Sequence, residues 1–381
     1  MDTVLNWGNP LHKPYPLFLL GLGVITAYIP GIIGASIPTG WLFLFIVAPI
    51  LFLYCDVKFG LGFIFIVYAV ISLSWTENLN IAWFHLLQLI VLGCVFCIGQ
   101  NLKEEQLTAI FKGLALGLGL ASIIAVLQYF KYNTGIYTLG NSSAGLFINP
   151  NIYSELSAII LISLVVLKLW WWIPVTLPGL ILVQSRTAYI ALAVGLFIWA
   201  WKFNRQLALI LLCLVGSFGG YLYWGSFSLT SITERFDIWK DTIQGFKFFG
   251  NGVGSYEILF PYYATHIDTE IARPRFAHND LLNIVFEFGI ASILFLMVLF
   301  NAFKNRKSEV VILISVCVVS LFTYPMHIPT PAFIGFLVAG YLTSNLDTDG
   351  GFWDNWGPNL FKRNTTGEFV KARSGSLSFP L

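Results

Sequence analysis

Apolar residues follow one another in runs of about 20 along most of this chain, the length a helix needs to cross the hydrocarbon core of a bilayer. The runs fall at 15–35, 40–55, 59–75, 80–99, 107–130, 146–167, 170–185, 187–201, 207–224, 281–302, 309–325 and 331–345. They predict an all-α polytopic bundle of about 12 transmembrane helices. Between 146 and 201 the pattern is interrupted by Pro150, Pro174, Pro178 and Arg186, which predicts broken or re-entrant helices there. Residues 1–345 read as a single transmembrane domain. Residues 346–381 form a polar tail with Trp353 and Trp356, expected to be an interfacial or disordered appendage. No internal repeat or low-complexity block is visible.

Composition agrees with this reading: 57% of the 381 residues are hydrophobic and 10% charged, against about 25% charged in ordinary soluble domains. A net charge of +2 with no basic stripe argues against a nucleic-acid partner. The cysteines Cys55, Cys94, Cys97, Cys213 and Cys317 all sit inside apolar runs and read as small buried hydrophobes. Cys94 and Cys97 form a C-x-x-C without a second pair or a nearby His or Asp, so neither a metal nor a cofactor is expected. The first run lacks the features of a cleaved signal and reads as an uncleaved helix.

Basic residues in short loops set the orientation. With the first residues in the cytoplasm, the inner loops hold Lys13, Lys58, Lys103, Lys168, Lys202, Arg205, Lys304, Arg306 and Lys307, while the outer short loops hold Lys131 and Arg186. That bias places the long loop, about 225–280, on the outer or periplasmic face and the tail inside.

The long loop carries the densest chemistry. Ser231 and Glu234 form a capping box, and Ile232, Phe236, Trp239, Ile243 and Phe246 recur at helical spacing, so an amphipathic helix is expected to lie on the membrane interface or on the bundle. Glu234, Asp237 and Asp241 point away from this stripe. Arg235 stands on one shoulder, either snorkelling to water and headgroups or gripping phosphate with its paired donors. Gly250, Gly252 and Gly254 allow a tight turn back to the bundle. The loop ends Arg273-Pro-Arg275-Phe-Ala-His278, which brings two arginines and a proton-accepting imidazole to the membrane edge.

In order and spacing, four pieces resemble the O-antigen ligase and O-antigen polymerase superfamily of bacterial membrane glycosyltransferases. They are Gly145-Leu-Phe-Ile-Asn-Pro-Asn-Ile, Ser185-Arg-Thr-Ala-Tyr, Arg235-x-x-x-Trp239 leading to Phe249-Gly-Asn-Gly-Val-Gly254, and His278-Asn-x-x-Leu-x-x-x-x-Glu-Phe-Gly289. The resemblance implies a metal-free transferase that takes an undecaprenyl-diphosphate-linked glycan as donor and a glycan or glycolipid as acceptor, in the bacterial inner membrane. It also implies that Arg186, Arg235 and His278 are catalytic, the arginines holding the diphosphate and the histidine orienting or deprotonating the acceptor hydroxyl. Arg273 and Arg275 join as substrate-binding candidates by proximity, with Trp239 beside them. Asn149 and Asn151 flank Pro150, either lining a cavity or capping a helix.

Glu155 and Glu287 lie inside predicted spans, where a carboxylate calls for a partner. Glu287, nine residues after His278, reads as a packing partner for a neighbouring helix. His85 and Lys112 read as satisfied polar residues near helix ends. A ligase with a lipid A core acceptor is placed ahead of a polymerase joining lipid-linked repeat units. A lipid-linked glycan flippase or transporter would instead predict repeats and midplane charges, and a structural subunit would leave the Arg and His constellation without a purpose.

Overall fold

The computed structural model describes residues 9–27, 39–57, 60–132, 134, 143–147, 149–223, 230–267, 274–305, 307–344, 361–363 and 369–371. An apolar helix occupies each predicted run. They are α1 (Pro14–Thr26), α2 (Thr39–Phe52), α3 (Leu61–Ser72), α4 (Leu79–Gln100), α5 (Glu104–Tyr129) and α6 (Pro150–Val166), then α7 (Leu177–Val183), α8 (Arg186–Trp201) and α9 (Arg205–Tyr223). The predicted long loop contributes α10 (Thr230–Gln244) and α11 (Tyr256–Tyr263); α12 (Asp280–Phe288), α13 (Ser292–Phe303), α14 (Val310–Ser320) and α15 (Pro329–Thr343) follow.

Among the described residues, three helices are long and apolar enough to cross a membrane: Leu79–Gln100, Glu104–Tyr129 and Asp280–Phe303. The other apolar helices run 10–17 residues. Proline and local unwinding account for part of the shortening. Pro49 lies inside α2, and between α6 and α7 the chain tightens into a 3-10 stretch, Trp170–Thr176, around Pro174. Gln184 then takes a left-handed conformation, φ 57° and ψ 45°, and ends α7 after seven residues. This is the broken region expected from the prolines. In the tail, Phe361–Arg363 pairs antiparallel with Phe369–Lys371, a small departure from an all-helical chain.

Glycines set the closest helix crossings. A Cβ at Gly21 would collide with the Ile110 carbonyl, and one at Gly113 with the Phe18 carbonyl, so α1 and α5 meet backbone to backbone. Gly99 on α4 and Gly340 on α15 face Leu337 and Phe96 in the same way. Without a hydrophobic drive between helices in lipid, such close approach supplies the packing energy. Two side chains tie early helices to late ones: Trp41 Nε1 donates to the His327 carbonyl at 3.1 Å and Thr330 Oγ1 to the Val24 carbonyl at 3.1 Å.

Candidate functional site

The segment between α9 and α12 is held by a glycine turn. Gly250, Gly252 and Gly254 have φ of 73°, 94° and 68°, in the left-handed region that a side chain penalises. Here the turn presses on the kink between α12 and α13: Asn251 N donates to Phe286 O at 3.0 Å, Gly252 N to Glu287 O at 2.9 Å, and Ile290 N to Phe248 O at 2.8 Å. Gly289, φ 54°, makes the kink and leaves room for the Phe248 carbonyl. The carboxylate of Glu287 closes the joint, accepting from Gly254 N at 3.1 Å and from Asn283 Nδ2 at 3.3 Å. Glu287 is therefore a clamp on its own loop, which corrects the expectation of a helix-packing partner. Asn283 Oδ1 in turn accepts from Ala277 N at 3.3 Å, the residue before His278.

The loop helix α10 forms where the helical spacing predicts, starting at Thr230 rather than after the expected cap Ser231, but the face it buries differs from its apolar stripe. Phe236, Ile243 and Phe246 are exposed, while Ile238, Asp241 and Thr242 are buried. Ile238 packs with Tyr256, Phe260, Ala277 and Phe286, and Thr242 shares a 2.9 Å hydrogen bond with the Tyr256 hydroxyl. Asp241 points away from the stripe as expected, yet into the loop rather than to solvent. It accepts from Thr265 Oγ1 at 3.0 Å, from His266 N at 3.1 Å and pairs with His266 Nδ1 at 2.6 Å. Burial would raise its carboxyl, but the His266 and Thr265 bonds outweigh that and hold it below the usual range. Of the stripe, Trp239 packs inward against Phe322 and the Ala277 carbonyl, while Phe236, Ile243 and Phe246 stay exposed.

His278 stands between Ala277 and the cap of α12, in a left-handed backbone conformation with φ 51°. The Trp239 indole N–H donates to the Ala277 carbonyl at 3.0 Å, so α10 pins the backbone next to the imidazole. The imidazole meets the Tyr324 ring edge-on at a centroid distance of 5.1 Å. Burial, assisted by the positive charge of Arg235, pushes His278 down from 6.5 to about 4. It is neutral at physiological pH.

Arg235 is half-buried on α10. Burial lowers it, and of the charges acting on it that of Glu155 pulls it back up, while Arg186 pushes the same way as burial. Arg186 is the first residue of α8, after the buried Ser185. Glu155 lies in α6 with one carboxylate oxygen accepting from Thr323 Oγ1 at 3.3 Å and the other without a hydrogen-bond partner. Burial raises the Tyr324 hydroxyl; the charge of Glu155 adds to this, and those of Arg235 and Arg275 oppose it. Residues from α6, α8, α10 and the turn before α12 thus share one electrostatic neighbourhood.

The remaining candidates divide. Arg275 is exposed and pairs with Glu257 at 3.4 Å, a rim contact of small energetic weight. Asn149 spends its side chain capping α6, accepting from Asn151 N at 2.9 Å, and Asn151 itself is exposed. Arg273 lies outside the described residues. Among the described residues no group of His, Cys, Asp and Glu is arranged to hold a metal. Tyr324 and Thr323 were not legible as site residues, because nothing in their local pattern points at a histidine some 45 positions earlier.

Residues 175–297 match the family model described as O-antigen ligase. The matched stretch includes Arg186, Arg235, Arg275, His278, the glycine turn and Glu287, and stops short of Tyr324. No curated protein matches the chain. The match covers about a third of the chain, and what it shows is a likeness of residues 175–297 to the O-antigen ligase family.

Proposed function

From the likeness of residues 175–297 to the O-antigen ligase family, we propose that the protein is a membrane glycosyltransferase that moves a glycan from an undecaprenyl-diphosphate-linked donor to a sugar hydroxyl of an acceptor such as lipid A core. The observation that carries the reading is the run of interacting charges from Arg186 to Arg235 and from Arg235 to the half-buried His278, with Glu155 acting on Arg235. The bundle faces the cytoplasm with its basic short loops and presents this site on the outer, periplasmic side of the bacterial inner membrane.

In this reading the two arginines bind the diphosphate and carry its growing charge as it leaves the anomeric carbon. Guanidinium donors preset in a partly dry site serve this role without reorganising. The anomeric C–O bond to the diphosphate breaks as the acceptor oxygen bonds to the same carbon. His278 accepts the hydrogen bond of the acceptor hydroxyl and then its proton. In the empty site Arg235 weakens it as a base. Arrival of a diphosphate between arginine and imidazole offsets that charge and moves the histidine toward its ordinary value, so basicity rises when donor is bound.

No divalent metal enters this scheme, since the arginines supply the positive charge. The experiment is transfer in liposomes containing the purified protein, an undecaprenyl-diphosphate-linked glycan and a core-glycolipid acceptor, with and without a chelator. Transfer unaffected by chelation is the expected result. Transfer only to a second lipid-linked glycan would assign a polymerase, and passage of donor across the bilayer without transfer would assign a flippase.

A further inference from the structure

After α14 the chain turns through residues 321–327, and this turn touches three contributors to the candidate site. The Leu321 carbonyl accepts from Asn279 Nδ2 at 3.2 Å, one residue past His278. Phe322 lies against the Trp239 ring of α10, with centroids 6.5 Å apart, and the Tyr324 ring meets the His278 imidazole. Between them Thr323 reaches α6, where its Oγ1 donates to Glu155 Oε2 at 3.3 Å. Glu155 is thereby packed beside the groups that place Arg235 and His278, and the transfer scheme gives it no task.

This carboxylate is short of donors. It is 5% exposed, and Thr323 has a single hydroxyl proton, which the Val319 carbonyl also claims at 3.0 Å. The second carboxylate oxygen, Oε1, is buried with no hydrogen-bond partner. A carboxylate so deep in a membrane protein needs a compensating positive charge. Of the charged groups acting on Glu155, Arg235 attracts it and Asp280 repels it; of those acting on Arg235, Glu155 is the foremost. No direct ion pair joins the two among the described residues, so Glu155 steadies the guanidinium through the field between them without occupying its donors.

We infer that Glu155 is the counter-ion of Arg235 in the donor-free site, a positioning residue that the arriving diphosphate supplants and whose negative charge helps expel the diphosphate after transfer. The inference rests on the reading of Arg235 as a diphosphate ligand. A carboxylate and a diphosphate drawn to one guanidinium each weaken the other's hold, and the coupling is reciprocal. The binding forgone is binding that donor and leaving diphosphate would share equally, and such uniform grip lowers KM without hastening the chemistry.

The test measures equilibrium binding of undecaprenyl diphosphate, carrying no glycan, to the full-length protein in lipid nanodiscs, with undecaprenol as the neutral-headed control. Glu155→Gln keeps the shape of the side chain and removes its charge. It is expected to bind the diphosphate about tenfold more tightly, a usual size for coupling between two groups, and undecaprenol no differently. In liposomes KM for the glycan-linked donor and the inhibition constant for undecaprenyl diphosphate should fall together. Glu155→Asp, which keeps the charge, should stay close to the parent. Thr323→Val offers the opposite sign, and a second route should Glu155→Gln fail to insert: with the hydroxyl gone Glu155 depends more on Arg235, and diphosphate binding is expected to weaken. Unchanged or weaker diphosphate binding in Glu155→Gln, equal tightening in Glu155→Asp, or the same change with undecaprenol would make Glu155 a structural residue and overturn the inference, with transfer by the parent still standing. Should Glu155→Gln not insert, unchanged or tighter binding in Thr323→Val would do the same. Tighter binding in Glu155→Gln by a protein that transfers no glycan would support the counter-ion and sink the transferase reading. A parent that binds undecaprenyl diphosphate no better than undecaprenol would overturn both.

Discussion

His278 holds a backbone conformation, φ 51°, that few side chains adopt without cost. Asparagine tolerates that region, so His278→Asn separates chemistry from folding. It is expected to keep the melting temperature in detergent within a few degrees of the parent, bind donor lipid normally, and lose transfer by about 10²–10⁴-fold, the range of a missing general base. Retained transfer would remove the histidine from the mechanism. Arg235 offers a pH test. Burial first and Arg235 second hold the imidazole near 4. Removing the positive charge in Arg235→Gln raises the histidine, so the acidic limb of the transfer profile should move to higher pH, staying below 6.5 because burial remains. An unmoved limb would mean that the two groups do not sense each other. Arg235→Lys, which keeps charge but loses the paired donors, should still weaken transfer.

At the scale of elements, the glycine turn and the kink it rests on act as one joint. Gly250→Ala puts a Cβ onto the Glu287 backbone at a φ of 73°, a strain of roughly 1–3 kcal/mol. Glu287→Leu leaves the buried Gly254 N–H unpaired, at a cost of about 1–3 kcal/mol. Both should lower the melting temperature and make the segment between α9 and α12 more sensitive to protease, with transfer falling in proportion; a loss of transfer with unchanged protease resistance would mean the joint does more than hold the loop. The helices themselves were legible because continuous apolar runs mark them, and so was α10, whose helical spacing is local. Its buried face was not. At a membrane edge an apolar stripe can be taken up by lipid, leaving a polar face with Asp241 to pack inward, and the residues that satisfy Asp241 come 24 and 25 positions later. The site was half legible for the same reason. Arg186 and His278 stood out beside the ends of apolar runs and Arg235 on one shoulder of the loop helix, whereas Glu155 found its neighbours, Thr323 and Arg235, only through tertiary packing.

For the whole molecule, sidedness is the property most directly open to test. Lys240 is exposed on α10, so Lys240→Cys in a background lacking the native cysteines should react with an impermeant maleimide added from outside the cell. Reaction only after permeabilisation would place the site on the cytoplasmic face and remove the periplasmic acceptor. The glycine crossing of α4 with α15 bears on how such a protein is made. α4 emerges from the ribosome more than 200 residues before α15, yet its close partner is Gly340 and the helix around it. Trp41 and the α1 backbone likewise wait for His327 and Thr330. Although α1 finds α5 early, α4 therefore spends most of synthesis in the membrane with its tightest contact unmade, and a nascent chain halted before residue 329 should be a substrate for membrane quality-control proteases while one released after residue 344 is not.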